Sequence, residues 1–591
     1  MKMRTKRLVS VIALSAGLEL MVGCQQVSQL KVLFTKRPSE DLPAYKPVDV
    51  RFLDQHWSGS QRQTFYHTPQ GTEVMPYKWF LALEQPGIKV FGTVPMFAET
   101  SYMARFGFLP NGVDAGNPDG LPVGFAKASI VDPHTGVALD VVGFTCAACH
   151  TGQVEYRGKG VRIDGGSAAA DLSAFQNEVA YAVGFTDKIP FRFGRFAKRV
   201  LGEDASSEEK KRLREQLRAF ISAGQTEFKL DEDRKLYASS GFGRTDALGR
   251  IGNFVFGTEL DNVNLRVANA PVKLPPLWYT SWFGWVQYNG SIQQPMSRNV
   301  GESLGVRARV NLTDRAKLFE STVSVKDLWD IEELLAGEKM FEGLKAPAWP
   351  EDVLGPIDRA KAAQGASLYK QHCEQCHLPS VKSPDIQDAA YWEPGLAGRR
   401  FLKLKLIPLE EIGTDPREAI DWANRTAVTG ALGLGTVPAT VGLRLVTAKV
   451  RDLEYDKMNF SQEQRMEWNG YREDGVTAPL AYRARPLEGM WATPPFLHNG
   501  SVPNLYELLS PVEERSKTFY RGSREFDPKR VGYEQSKIDG GFLFSTDQPG
   551  DPHPGNSNAG HEFRNGSGKG VIGPQLTEAE RWAIIEYLKI L

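Results

Sequence analysis

The sequence predicts a mainly α, loop-rich protein built as two units, and three observations carry that expectation. Glycine (57) and proline (36) are abundant in the 591 residues, which favours turns and long connections. Several segments space their apolar residues with helical period, and only short stretches read as strands. The pattern Cys-x-x-Cys-His occurs twice, at residues 146–150 and 373–377, once in each half.

The two motifs are the attachment signature of covalently bound c-type haem. Two thiols add to two vinyl groups on one edge of a porphyrin, so they must lie about one helical turn apart. The adjacent histidine then reaches the iron as proximal ligand. A structural zinc site would need two further Cys or His at suitable spacing, and a dithiol redox pair needs no histidine. Four of the five cysteines lie in these motifs. The expected cofactors are therefore two haem c groups, held by Cys146, Cys149 and His150 and by Cys373, Cys376 and His377.

Composition narrows the rest. Lys plus Arg equals Asp plus Glu at 71 each, so no basic excess exists to neutralise phosphates, and nucleic acid is not an expected partner. The N-terminus reads as an export signal. Lys2, Arg4, Lys6 and Arg7 precede an apolar run, and residues 21–24 (Met-Val-Gly-Cys) resemble a bacterial lipobox. Residues 1–23 are then a signal peptide, with Cys24 lipidated; ordinary cleavage nearby is the competing reading. A lipid on Cys24 would anchor the chain to a membrane without a spanning helix. The expected location is the periplasm or outer membrane of a Gram-negative bacterium.

Residues 24–45 read as a tether, 46–345 as an N-terminal haem unit with insertions, and 346–591 as a C-terminal haem unit. Residues 163–166 (Ile-Asp-Gly-Gly) read as a strand end and turn. Helices are expected over 169–183, 206–221, 357–370 and 576–591, the last opened by a capping box of Thr577 and Glu580. Gly365 in one helix and Tyr587 in another suggest a helix pair closing over the second haem. Residues 512–575 read as long loops. Three tryptophans, Trp278, Trp282 and Trp285, crowd residues 262–305 and suggest a haem-facing wall or a packed seam.

The sixth iron ligands decide the chemistry. Of nine histidines, none lies between His150 and His372. The first haem is thus expected to have an open face, with His134 the upstream candidate and Met96 or Met103 the methionine candidates. For the second haem the candidates are His561, in the loop before the last helix, then His498, with His553 and Met490 behind.

At these residues the chain resembles the bacterial dihaem cytochrome c peroxidases and their relatives, the MauG-type maturation enzymes and the dihaem rubber oxygenases (RoxA-like). The carriers are residues 485–487 (Arg-Pro-Leu), 491–500 (Trp-Ala-Thr-Pro-Pro-Phe-Leu-His-Asn-Gly) and 560–561, with 269–271 (Asn-Ala-Pro). The resemblance implies two cytochrome c-type haem domains with short β elements and long loops. It implies a calcium site at Asn269, Thr493 and Pro495. It implies an inter-haem tryptophan matched best by Trp285, with Trp278 and Trp282 as alternatives, and a distal pair matched by Gln293 and Glu302. The absent distal histidine and the presence of His561 point to the RoxA-like branch. The implied activity is oxidoreductase: dioxygen or hydrogen peroxide at the first haem, electron storage or relay at the second. An apolar small molecule or polymer would be the substrate, or an electron-donor protein the partner. The alternatives are a non-catalytic dihaem electron-transfer lipoprotein and a MauG-like enzyme that oxidises a partner protein.

Overall fold

The computed structural model describes residues 37–87 and 94–591. The expected signal peptide and Cys24 lie outside the described residues.

The expectation of a mainly α chain with two haem domains is not met. The fold is mixed α/β, 40% helix and 17% strand, with its strands scattered over many small sheets. The physical reason lies in the core. One apolar cluster draws residues from Leu53 and Phe65 through Trp278 and Tyr369 to Ile585 and Leu591, so the halves share a hydrophobic interior. Short bridges also cross the midpoint, Phe283 with Leu402 and Ile292 with Val476.

The first motif sits between two β layers rather than beside a long helix. Strand Phe125–Val131 pairs antiparallel with Ala138–Phe144, whose other edge takes Met75–Pro76. Thr151–Tyr156 and Lys159–Asp164 form the next hairpin, extended by a parallel strand Asp49–Phe52. The expected strand end at Asp164 is present, with Gly165 at φ 67° turning the chain. A phenylalanine-rich cluster (Phe97, Phe106, Phe108, Phe125, Phe144 and Phe175) backs this layer. Gly124 is required here: a Cβ would lie 2.2 Å from the Ala148 Cα, inside the motif itself.

The helices foreseen from periodicity form, with shifted ends. Leu172–Lys188 starts at Asp171, whose side chain caps Ala174 N at 2.9 Å. Ser207–Arg234 opens on a Ser206–Glu209 capping box and buries only Leu213 and Leu217, as a surface helix should. Arg359–His372 and Glu578–Ile590 pack closely, and a Cβ on Gly365 would lie 2.0 Å from the Ala583 carbonyl oxygen. The Thr577–Glu580 capping box is present; such caps contribute about 1 kcal/mol. Residues 512–575 differ from the expectation of plain loops. They carry paired strands, Thr518–Arg521 with Phe542–Ser545 and Glu562–Phe563 with Val571–Gly573. Three buried-face helices that the periodicity reading passed over, Pro295–Gly305, Val325–Ala336 and Ala439–Lys457, build a further core. No helix among the described residues is long and apolar enough to cross a membrane.

Candidate functional site

Each Cys-x-x-Cys-His motif folds as a single helical turn. His150 N–H donates to the Cys146 carbonyl at 3.0 Å, and His377 N–H to the Cys373 carbonyl at 2.9 Å. Thr145 stiffens the first turn, accepting from Ala147 N and donating to the Tyr66 carbonyl at 3.0 Å.

The imidazoles are oriented in the same way. His150 Nδ1 bonds the Pro275 carbonyl at 2.7 Å, and His377 Nδ1 bonds the Arg485 carbonyl at 2.8 Å. An acceptor at Nδ1 fixes the tautomer and leaves Nε2 free as a donor to a metal. Burial pushes His150 down to about 4 and lowers His377, so both are neutral near pH 7. No disulfide joins any of the four motif cysteines. Burial pushes Cys146, Cys149 and Cys373 up to about 12, which disfavours their ionisation.

The two carbonyls belong to a repeated loop. Residues 276–292 and 486–502 align at a constant interval, Pro276-Leu277 against Pro486-Leu487 and Asn289-Gly290-Ser291 against Asn499-Gly500-Ser501. Their backbones match. Thr280–Trp282 and Met490–Ala492 are equivalent 3-10 turns. Tyr279 and Gly489 sit at φ 65° and 67°, Gln287 and Leu497 at 66° and 60°, and Gly290 and Gly500 at 70° and 65°. Val286–Ile292 and Phe496–Val502 close the same bridge. Five identities 210 residues apart are a faint sequence signal; the geometry makes it plain.

The sites differ on the opposite face. His561 stands across from His377, ring centres 6.1 Å apart and planes at 67°. Two imidazoles bound to one metal by bonds of about 2 Å, each nitrogen roughly 1.1 Å from its ring centre, would stand roughly 6 Å apart. His561 is seated deliberately. Its φ is 49°, its N–H donates to the Ile412 carbonyl at 3.0 Å, and Arg515 bonds the Gly560 and His561 carbonyls at 2.9 and 3.0 Å. A Cβ on Gly560 would lie 2.3 Å from Gly413, so the close approach requires glycine. Burial pushes His561 down to about 3, and its Nδ1 is buried with no hydrogen-bond partner.

Around the first motif the groups are polar. Gln287 Nε2 donates to Glu302 Oε1 at 3.0 Å. Desolvation raises the pKa of Glu302. Its charge acts on both Cys146 and Cys149. Arg298, paired with Glu332 and bonded to Asn299 Oδ1 at 2.9 Å, sets a positive charge toward His150. Gln70 Oε1 lies 3.2 Å from the Cys146 sulfur. Gln287, Arg298, Glu332 and Gln70 went unrecognised in the sequence, because only the fold brings them to the motif.

Of the expected distal pair, the structure brings Glu302 to the motif but gives it Gln287 as partner. Gln293 instead sits beside Gly475 and Trp285. Of the tryptophans, Trp278 joins the two loops: it is fully buried and its Nε1 donates to the Glu488 carbonyl at 2.8 Å. Trp282 bonds the Ala336 carbonyl at 3.1 Å, and Trp285 packs on Gly475. His498 stacks on Tyr482 at 4.0 Å between ring centres and is pushed by burial down to about 3. His134 pairs with Glu259 at 2.7 Å, and His553 with Asp551 at 3.2 Å. Met103 is buried in the phenylalanine-rich cluster, and Met490 sulfur lies 3.7 Å from the Thr493 hydroxyl.

At the expected calcium residues Asn269, Thr493 and Pro495 the structure places protein partners. The buried Lys273 ammonium already donates to the Thr493 carbonyl and, at 2.9 Å, to the Pro495 carbonyl. The Asn269 side chain accepts from Arg417 at 3.4 Å. Among the described residues no group of three or more His, Cys, Asp or Glu side chains is placed to hold a metal ion.

Paired thiols, oriented neutral imidazoles and a ring spacing that suits an iron define a protein of cytochrome c-like, haem-binding type. A family model described as RoxA-like, cytochrome c-like matches residues 481–520, the stretch that includes the His377 acceptor loop. The chain is 46% identical over 580 residues to the uncharacterized protein y4iJ of Sinorhizobium fredii, covering 94% of this chain and 95% of that protein. It belongs to the same family as y4iJ. A second Sinorhizobium fredii protein, the uncharacterized y4iM, is 28% identical over 334 residues, covering 54% of this chain and 63% of that one.

Proposed function

We propose that the chain is an exported RoxA-like oxidoreductase holding two covalently bound haem c groups in unequal sites. The observation that carries this reading is the asymmetry. His561 faces His377 across 6.1 Å, whereas Glu302, Gln287 and Arg298 gather at the Cys146–Cys149 motif.

Bound haem supplies the redox-active iron that meets dioxygen or hydrogen peroxide. The chain's own residues supply the rest. At the first site His150 presents Nε2, steadied by its bond to Pro275. Glu302, with its pKa raised and its Oε1 held by Gln287, can keep a proton and release it at the open face. Phe283 and Trp278, both fully buried in the loop whose Pro275 carbonyl holds His150, pack against Arg485. The RoxA-like reading makes an apolar small molecule or polymer the substrate. At the second site His377 and His561 would both hold the iron of a bound haem, which would supply storage or relay of an electron, drawn from an electron-donor protein. Lipid on Cys24 would hold the protein in the periplasm or at the outer membrane.

The test is a haem count with the electron paramagnetic resonance spectrum of the ferric protein. Two haems per chain are expected, one low-spin and indifferent to cyanide, one high-spin or shifted by cyanide. Two low-spin signals unmoved by cyanide would replace the enzyme with an electron-transfer lipoprotein.

A further inference from the structure

The two histidine acceptors are not independent. Pro275 and Arg485 occupy equivalent places, each one residue before the Pro-Leu that opens its loop. From the second of these places the Arg485 side chain crosses to the first loop. Its Nη1 donates to the Pro276 carbonyl at 2.8 Å and its Nη2 to the Trp278 carbonyl at 3.1 Å. Trp278 answers with its own bond to the Glu488 carbonyl at 2.8 Å. The path from His150 runs through the Pro275 carbonyl to Pro276, across to the Arg485 guanidinium, and along that residue to the carbonyl that holds His377.

We propose that Arg485 is a positioning residue that ties the two proximal histidines into one unit, so that the ligand geometry at both haems is set in common. This rests on the two-haem reading above. The fork of a guanidinium suits the task, since it grips two carbonyls in fixed geometry while a lysine ammonium is a single point charge. The ring faces of Trp278 and Phe283, 5.7 and 5.6 Å from the guanidinium carbon, confine it further. Losing the fork frees the 276–278 backbone, and with it the Pro275 carbonyl. It also removes the side chain that anchors the Arg485 carbonyl. Histidine orientation and basicity at both irons respond to such outer partners.

The experiment uses holoprotein of the wild type, Arg485→Met and Arg485→Lys. Each is scored for haem content, for the electron paramagnetic resonance signals of both ferric haems and for both midpoint potentials. Arg485→Met is expected to move the signals and potentials of both haems while the haem count stays at two. Arg485→Lys, which keeps the charge but not the fork, is expected to move both by less. It decides the matter alone should the methionine variant not fold. A shift confined to the His377 haem, or no shift in either, would overturn the inference and leave the two-haem reading standing. Fewer than two haems in the wild type would overturn that reading and the inference with it.

Discussion

The loops at 275–292 and 485–502 share a backbone and differ in what they are given to face. Both offer a carbonyl to a proximal histidine, at 2.7 and 2.8 Å. The second site then receives His561, while the first receives a carboxylate braced by Gln287. A duplicated frame therefore fixes what the sites have in common. His561 and Glu302, outside that frame, make them unequal, and so does Gln287 within it, whose counterpart in the second loop is Leu497.

The largest test of this contrast is removal of His561. In His561→Ala the second iron is expected to lose its low-spin signal and to gain a cyanide response, so that both sites behave alike. The first signal should not move. A second haem that stays low-spin in this variant would mean that another residue is its ligand. Next in size is Glu302→Gln. If the carboxyl moves a proton during turnover, the rate with peroxide or dioxygen should fall by about 10²-fold, with the spectrum of the second haem unchanged. A rate within twofold of wild type would remove Glu302 from the chemistry.

A third test concerns what joins the loops. Lys273 stands just before the first loop and clamps the Thr493 and Pro495 carbonyls of the second. Lys273→Met strands two buried acceptors, a cost of about 2–4 kcal/mol, read as a lower denaturant midpoint. A calcium chelator should leave wild-type stability and spectra unchanged, because the ammonium holds the place a cation would take. Loss of stability on chelation would show that a metal shares the seam.

The motifs and the helices were legible because their signals are local. Thiols three apart, a following histidine, and a Thr577–Glu580 cap all lie within one turn of chain. His561 stood out because few histidines compete. The fold class was not legible. Strand pairs such as Thr518–Arg521 with Phe542–Ser545 are too short for alternation to register, and Gly-rich connections disguised them as loops. The shared core erased the expected halves, since burial against a distant segment leaves no mark in sequence. Gln287 was not singled out, because the family's distal glutamine was matched, loosely, to Gln293. The turn that places it, with Gln287 at φ 66°, is a tertiary feature. Lys273 in the seam was equally hidden: a lysine between Val272 and Leu274 reads as surface until the fold buries it.

The smallest expected effect comes from one matched position. Tyr288 in the first loop corresponds to His498 in the second. Burial holds His498 near 3, against an ordinary value of 6.5 in the unfolded chain. Between those values the unfolded chain binds a proton that the folded chain refuses, so stability falls as pH drops from about 6.5 toward 3. The slope for one such histidine is at most about 1.4 kcal/mol per pH unit. Tyr288 carries no positive charge at any pH, so the first loop lacks this liability. His498→Phe keeps a ring to stack on Tyr482 and removes the titration. The variant should therefore lose part of the acid slope and hold its second-haem spectrum to lower pH, with little change at pH 7. An acid profile identical to wild type would show that His498 is already protonated in the fold, and that the second loop is no more acid-sensitive than the first.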